Sequence, residues 1–364
     1  DGQSDAATIV KLGGRNAIER EYQAYETYVK DRLPPITARI QHTPVSLPNS
    51  QRAAVQYTFI GRPGELPVSL RLTLQRDPRP EWLWQLLETF GTNWWLQRQP
   101  ATFRWGEEYD RFLPVHLVLE PTEGRSAARW SLNEQTAPSN LPLAPGDLVE
   151  IGNFSQVELR ADGCSYSLTG KPLVGGPPLR LRWLSPTPPT HSLARVQATR
   201  TSLLEQWTAG LEATGLPNPL QELSEWLNET IQASRSIIHG DLNLENILVG
   251  PGGLMWLIDF SETRPGHPLA DFSHLMAEVI VHLYAPQFPN PLGYAQKIQT
   301  GGLPLLNALQ DIATHCLLYP AQQRELWLSL TFGCLGALKY PQLSNHARKL
   351  LTISAAFYAS SLTR

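Results

Sequence analysis

Two aspartates and an asparagine follow short apolar runs in one stretch of the chain, at a spacing that could serve a metal ion. Asp241 comes just after the first run, Asn246 lies five residues later, and Asp259 follows thirteen residues beyond that. Each run has the length and the β-branched content of a short strand, so the polar residues stand where strands end. Carboxylate and amide oxygens that meet there suit Mg²⁺, which takes oxygen ligands and keeps waters and phosphates in its coordination shell.

The elements that must position these residues are short. The apolar runs cover 237–238, 246–249 and 254–258, and the glycine-rich turn 250–253 separates the last two. Strands joined by such turns pair as neighbours. We therefore expect the polar residues to converge at one mouth.

The spacing Asp-x-x-x-x-Asn with a later Asp matches the catalytic-loop pattern of kinases. Residues 239–241 read His-Gly-Asp, not His-Arg-Asp. In this form the chain resembles the aminoglycoside phosphotransferase and choline kinase group of the protein-kinase-like superfold. The segment 268–275, which contains Asp271, looks like the helix start that follows the metal-binding aspartate in those enzymes. The resemblance is close over 237–280 and looser in the flanks.

The resemblance implies a role for each matched residue. Asp241 accepts the proton of the acceptor substrate, and His239 braces the loop by hydrogen bonding. Asn246 and Asp259 hold Mg²⁺, and Asp271 supports the loop from below. The cofactors implied are ATP, or another nucleoside triphosphate, and Mg²⁺.

A second pair of candidates lies near the start of the chain. The run 6–12 is typical of a strand that carries Lys11, and glycines 13 and 14 are expected to break it. An apolar stripe of helical period follows up to the Pro-Pro pair at 34–35, and Glu21 flanks this stripe. In the resemblance the strand lysine grips the nucleotide phosphates and the helix glutamate orients it. Glu19 and Glu26 compete with Glu21 for this role.

Kinases place a glycine-rich hairpin ahead of this lysine, and the chain departs from them here. Only ten residues precede Lys11, and the first five of them do not form such a hairpin. The chain also does not begin with Met. We expect an excised domain or missing residues ahead of Asp1, with the hairpin either in that segment or lacking.

Composition limits the class of protein. The chain has 364 residues, of which 42% are hydrophobic and 17% are charged, as in a globular protein. A formal net charge of −3 gives no broad basic field for nucleic acid. The three cysteines lie far apart, which fits a reducing cytosol and predicts neither a disulfide framework nor a zinc site. We find no membrane-spanning run and no signal-peptide pattern, so we expect a cytoplasmic protein.

The texture of the sequence changes between residues 121 and 190. Proline and glycine become dense, and apolar residues alternate with a period of two in four short runs, from 149–151 to 179–183. This pattern predicts a small β module inserted into a helical context. A lid, a substrate platform and a surface for a protein partner are alternative roles for it.

We therefore expect an α+β fold, a two-lobed protein-kinase-like fold with a truncated N-lobe and a β-rich insertion in the helical C-lobe. The N-lobe would span 1–66, and the hinge with the first C-lobe helices 67–120. The insertion would span 121–190, and the helical C-lobe with the catalytic loop 191–364. Within this scheme we expect helices over 81–97 and about 220–231, the latter leading into the catalytic loop.

Two classes of function fit these observations. The favoured one is ATP- and Mg²⁺-dependent phosphoryl transfer to a hydroxyl or amine of a small-molecule acceptor, with Asp241 as the base. The alternative is a catalytically inactive kinase-like module, with a binding or regulatory role in a multidomain bacterial signalling or defence protein. A protein kinase fits less well, because no activation-loop segment separates Asp259 from the helix that carries Asp271.

Overall fold

The computed structural model describes residues 8–33, 38–46, 48–60, 66–121, 128–129, 147–151, 154–162, 165–172, 179–184 and 193–362. The strands are, in chain order, β1 (Thr8–Gly14), β2 (Val45–Ser46), β3 (Arg52–Thr58), β4 (Val68–Ser69), β5 (Gln99–Arg104), β6 (Leu117–Pro121), β7 (Ala128–Arg129), β8 (Asp147–Ile151), β9 (Phe154–Asp162), β10 (Ser165–Pro172), β11 (Leu179–Trp183), β12 (Leu193–Thr199), β13 (Thr230–Ile238), β14 (Ile247–Val249), β15 (Met255–Leu257) and β16 (Arg264–Gly266).

The helices are, in the same order, α1 (Arg15–Ala24), α2 (Leu70–Arg76), α3 (Glu81–Phe90), α4 (Trp105–Tyr109), α5 (Arg200–Glu205), α6 (Leu223–Asn228), α7 (Leu269–Val279), α8 (Pro291–Gln299), α9 (Pro304–Thr314), α10 (Arg324–Ala337) and α11 (Asn345–Ser360). The fold is therefore of the α+β class. Within the part of the chain described, no helix is both long enough and apolar enough to cross a membrane.

The first described strands form a small antiparallel sheet in the order β1-β3-β2, with Lys11 opposite Val55. Ile18 of α1 packs on this sheet in a small hydrophobic cluster that also takes in Trp256. The strand expected over 6–12 continues to Gly14, because both glycines pair with β3 and do not break it, while residues 6 and 7 lie outside the described residues.

The first helix also differs from the sequence prediction. The apolar stripe up to the prolines is not one continuous α-helix, since α1 ends at Ala24 and a π-helical turn covers Tyr25–Val29. The expected helix over 81–97 is likewise shorter: α3 ends at Phe90, and two 3₁₀ turns follow. These turns bury Trp94 and Trp95 completely in the main core.

The main core is a single large cluster that α7, α9, α10 and α11 share with the strands around residues 237–260. Close packing between α10 and α7 requires Gly333, because a Cβ there would lie 2.6 Å from the Cβ of Ser273. The strongly buried face of α7 fixes the position of Asp271 beneath the loop that follows β13.

The region predicted as a β module contains strands, but its sheet extends beyond residues 121–190. The described strands form a five-stranded sheet in the order β7-β12-β6-β11-β8, together with the hairpin β9–β10. Strands β6 and β12 come from either side of the region, so helices begin at Arg200, later than the start of the helical C-lobe expected at residue 191. Parts of the region, among them residues 173–178, lie outside the described residues.

A strand, and not a helix, leads into the catalytic-loop stretch. The expected helix over 220–231 is reduced to α6, after which β13 runs to Ile238. Strand β13 pairs with β5 along its first half and with β16 at its end. Pairing partners from distant parts of the chain therefore decide the conformation of this segment.

Candidate active site

The loop 239–246 connects β13 to β14 and carries Asp241 at its exposed tip. The Nδ2 of Asn246 donates to the backbone oxygen of Asp241 at 2.9 Å and to its carboxylate at 3.3 Å. Asn243 adds a second donor to the same carboxylate oxygen, also at 3.3 Å. The two amides hold the Asp241 carboxylate in a defined orientation toward solvent.

Gly240 is required by the backbone of this loop. Its φ of +82° lies in the left-handed region, and a Cβ there would lie 2.2 Å from the backbone oxygen of Glu262. A larger residue at this position would displace the backbone next to Asp241. This accounts for the glycine of the His-Gly-Asp sequence.

Asp271 lies beneath the loop and accepts three hydrogen bonds. Its Oδ2 receives the indole N–H of Trp95 at 2.8 Å and the backbone N–H of His239 at 2.7 Å. Its Oδ1 receives the backbone N–H of Gly240 at 2.8 Å. Burial raises the pKa of Asp271, while His239 and the three donors oppose this shift. The carboxylate thus joins α7 to the turn that places Asp241.

The ring of His239 joins the loop to the strand segment that precedes Asp259. Its Nε2 lies 2.9 Å from the backbone oxygen of Ile258, which can only accept, so Nε2 carries the proton. The hydroxyl of Thr263 donates to the backbone oxygen of His239 at 3.2 Å. The histidine is fully buried and holds the loop without reaching the solvent-exposed mouth.

Lys11 lies between two carboxylates from distant parts of the chain. Its Nζ is 2.8 Å from Oε2 of Glu21 and 2.9 Å from Oδ1 of Asp259. Glu21 is 1% exposed, and the hydroxyl of Tyr57 donates to its other oxygen. Among the competing glutamates, Glu26 pairs with Lys30. Glu21 is therefore the helix residue that meets the strand lysine.

The contacts between Lys11 and its carboxylate partners stabilise the charged forms of Lys11 and Asp259. Burial alone would lower the pKa of Lys11, but the hydrogen bonds and charges of Glu21 and Asp259 outweigh it and raise the pKa. Burial likewise opposes ionisation of Asp259, yet Lys11 and the Ser261 hydroxyl leave its pKa below the usual range. At Asp241 burial dominates and raises the pKa, with a further contribution from the charge of Asp259.

The oxygens of Asn246 and Asp259 fit a Mg²⁺ ion that completes its shell with phosphates and water. The amide nitrogen of Asn246 is used by Asp241, which leaves its Oδ1 free for a ligand. Asp259 has a left-handed φ of +64°, and Lys11 and Ser261 both contact its Oδ1. Among the described residues there is no group of three or more His, Cys, Asp or Glu that could hold a metal by itself. An amide and a carboxylate with substrate phosphates are a donor set that Mg²⁺ accepts.

A cavity of about 410 Å³ opens beside Asp241, and most of its lining was not anticipated from the sequence. Lys339 and Tyr340 reach it from the end of α10, Arg180 from β11, and His274 from α7. No local pattern marked these residues, because they lie between 33 and 99 residues from Asp241 along the chain.

These contacts bring together the lysine of β1, the glutamate of α1 and Asp259, and they join Asp241 to Asn246 in the neighbouring loop. The chain belongs to the family described as ternary complex associated domain 9, which matches residues 1–317. No curated protein matches the chain.

Solved structures similar to this chain include the aminoglycoside phosphotransferase APH(4)-Ia, with a TM-score of 0.38 and 10% identity over 99% of this chain and 88% of that one. A ternary complex of a variant of that enzyme with ADP and hygromycin B gives a TM-score of 0.37 and 9% identity, with the same coverage. A microcompartment-associated aminopropanol kinase gives 0.31 and 16%, over 99% of this chain and 85% of that one.

Proposed function

We propose that this protein is a phosphotransferase of two-lobed kinase-like fold that moves the terminal phosphoryl group of ATP to a hydroxyl or amine of a small molecule. The observation that carries the proposal is the position of Lys11, whose Nζ lies within 2.9 Å of both Glu21 and Asp259. A lysine held in this way by a helix glutamate presents a fixed positive charge to nucleotide phosphates. Asp259 and Asn246 then face the same phosphates as candidate Mg²⁺ ligands.

Asp241 is the proposed base. The acceptor oxygen would give its proton to the Asp241 carboxylate as its bond to phosphorus forms, while the bond between phosphorus and the leaving oxygen of ADP breaks. A raised pKa suits a carboxylate that must accept a proton. Asn243 and Asn246 keep that carboxylate oriented, and His239 and Asp271 keep the loop in place.

Mg²⁺, when bound, would neutralise phosphate charge and polarise the transferred group. Asn246 and Asp259 would hold it on the side of the loop that faces Lys11. Lys11 itself would contact the phosphates while it retains its ion pair with Glu21.

The second candidate is a module that binds nucleotide without transferring phosphate. The observation that favours it is β1, which lies at one edge of the small described sheet and presents apolar side chains to solvent. Ile9, Val10 and Leu12 of this strand are exposed. The family description also names association with a complex and no activity.

The test compares two nearly isosteric variants. Asp241→Asn should keep Mg²⁺-dependent ATP binding and lose turnover by on the order of 10²–10⁴, because only the base is removed. Asp259→Asn should lose both, because it removes a ligand of the metal and the partner of Lys11. Asn tolerates the left-handed backbone of position 259, so the fold should persist. Calorimetry with Mg²⁺-ATP and ADP release with an acceptor panel measure the two properties.

Asp311→Asn is the matched control, since Asp311 is exposed on α9. Wild-type binding of Mg²⁺-ATP without transfer to any acceptor would favour the non-catalytic module. Absence of nucleotide binding in the wild type would contradict both candidates.

A further inference from the structure

The cavity beside Asp241 contains a lysine without an ionic partner. Lys339 lies at the end of α10, where its Nζ donates to the backbone oxygen of Arg111 at 3.3 Å. The same ammonium lies 6.0 Å from the ring centre of Phe112 and 5.3 Å from that of Tyr340. Among the described residues, no carboxylate lies within ion-pair distance of Lys339. An ammonium has three N–H donors, so two of them have no acceptor within the described part of the chain.

Among the charged groups that act most strongly on this lysine, Arg180 and Arg111 are positive and Asp241 is negative. Burial, together with the positive charges of Arg180 and Arg111, lowers the pKa of Lys339 to about 8 against the opposing effect of Asp241. Arg180 is 7% exposed and enters the cavity from β11. A cationic ligand placed against Lys339 would add to this repulsion, whereas an anionic ligand would relieve it.

The buried carboxylate of Asp110 lies 4.0 Å from a guanidinium nitrogen of Arg180 and is shared with two other basic side chains. Asp110 lies 2.7 Å from a guanidinium nitrogen of Arg200 and 3.1 Å from Nε2 of His116. These partners overcome the effect of burial and keep the pKa of Asp110 low. The other acidic residues of the cavity, Glu107 and Glu262, are exposed at its rim, where water screens them.

The same cavity contains a histidine and a carboxylate that could bind a hydroxyl group. Nδ1 of His274 is buried without a hydrogen-bond partner and lies 3.7 Å from Oδ1 of Asp241. Burial and the charge of Lys339 lower the pKa of His274 to about 4, so its ring is neutral at pH 7. A neutral imidazole beside a carboxylate can fix a hydroxyl group between them.

We propose that the acceptor bound in this cavity carries an anionic group, either a carboxylate or a phosphate monoester, which Lys339 holds while the acceptor hydroxyl meets Asp241 and His274. This inference rests on the proposed phosphotransferase function. It assigns Lys339 as a residue that determines acceptor specificity, with Arg180 adding positive charge from the β sheet. It also gives that sheet a part in the site, as one wall of the acceptor cavity.

The kinetic test uses acceptors of similar size and different charge. Glycerate and glycerol 3-phosphate represent the two anionic classes, glycerol is neutral, and 1-amino-2-propanol is cationic. We expect at least one anionic acceptor to show a KM at least tenfold below that of glycerol, and which of the two does so identifies the anionic group. Faster turnover of the amino alcohol than of both anions would overturn the inference and leave the phosphotransferase function intact.

Lys339→Met should raise the KM of the preferred anion on the order of 10- to 100-fold, the loss expected for a hydrogen bond between charged groups. It should leave kcat and the KM of glycerol nearly unchanged, and Lys339→Arg should recover most of the loss. Lys297→Met is the control, because Lys297 is an exposed lysine on α8. An equal change for charged and neutral acceptors would indicate a structural role and contradict the assignment.

A binding test separates this inference from the phosphotransferase proposal. Protein labelled with ¹³C in lysine allows the Lys339 side chain to be titrated by NMR, with Lys339→Arg used to assign the signal. Inorganic phosphate should raise the pKa of Lys339 from about 8 and should leave Lys297 unchanged. This result would support the anion site even if no turnover were found. No change with phosphate, or an equal change with ATP alone, would overturn the acceptor assignment.

Discussion

Replacement of Asp271 by Asn tests whether a buried carboxylate positions the proposed base. Asp271 touches neither solvent nor the expected substrate, yet it accepts the backbone N–H groups of His239 and Gly240 and the indole N–H of Trp95. Asn has nearly the same shape but only one oxygen. The substitution therefore alters hydrogen bonding with little change in packing.

The expected magnitude follows from these three bonds. Oδ2 of Asp271 accepts two of them and Oδ1 accepts one, so Asn keeps most when its oxygen faces Trp95 and His239. Its amide then points its own N–H at the backbone N–H of Gly240, which is left unsatisfied at a cost of about 1–3 kcal/mol. Burial raises the pKa of Asp271, so the buried carboxylate is itself unfavourable and its removal offsets part of this cost. We expect a net loss of about 2 kcal/mol in the free energy of unfolding.

The same change should displace Asp241, since Gly240 is its neighbour in the chain. We expect turnover to fall on the order of 10²-fold, the cost of a misplacement of roughly 1 Å, while Mg²⁺-ATP binding remains. Urea unfolding gives the stability, and ADP release with calorimetry gives the activity and the binding. Asp311→Asn on the surface of α9 is the control. A variant as stable and as active as the wild type would refute the idea that Asp271 positions the loop.

Two further predictions concern buried acids near the site. Lys11→Met should abolish nucleotide affinity and lower the free energy of unfolding by about 1–3 kcal/mol, because the buried Glu21 loses its cation. The double variant with Glu21→Gln should regain stability but not nucleotide affinity. Regained affinity would exclude Lys11 as the phosphate ligand. Burial, with the charge of Asp241, raises the pKa of Glu278 from 4.5 to about 7, so between these values the folded state retains a proton that the unfolded chain has lost. The free energy of unfolding of the wild type, compared with that of Glu278→Gln, should therefore fall on the order of 2 kcal/mol as pH rises from about 4.5 to about 7. A difference between the two proteins that does not change with pH in urea unfolding would contradict this prediction.

Local spacing was sufficient to predict where the central loop lies. His239, Asp241, Asn246 and Asp259 fall within twenty-one residues, on strands and turns that follow one another in the chain. The hairpin of β14 and β15 brings Asp259 back beside the loop, and the backbone N–H of Ile258 donates to the oxygen of Asn246 at 3.0 Å. A sequence pattern can report such a site, because the elements that form it are neighbours.

The sequence could propose Glu21 but could not choose it over Glu19 and Glu26. All three lie on the same segment, and the choice depends on which side faces β1. The choice follows from packing of α1 through Ile18 on the small sheet, with Tyr57 of β3 completing the hydrogen bonds of Glu21. These contacts join residues that are far apart along the chain.

Strand β13 was predicted only at its end, where the run 237–238 was expected as a strand. The helix expected over about 220–231 ends at Asn228, because pairing with β5 and β16 makes the segment from Thr230 onward a strand. The β6 and β12 strands extend the predicted β module in the same way, since each supplies an edge that the other needs. Secondary structure is least predictable where distant partners decide it.

The sequence by itself determined the identity and order of the loop residues, because their spacing is built into consecutive short strands. Only the tertiary structure decided which groups surround Asp241. Lys339, Arg180 and His274 come from a helix end, a sheet and another helix, and each has an unremarkable sequence context. Their shared environment arises when these elements pack around the common core, and the burial that results sets the charges that an acceptor would meet.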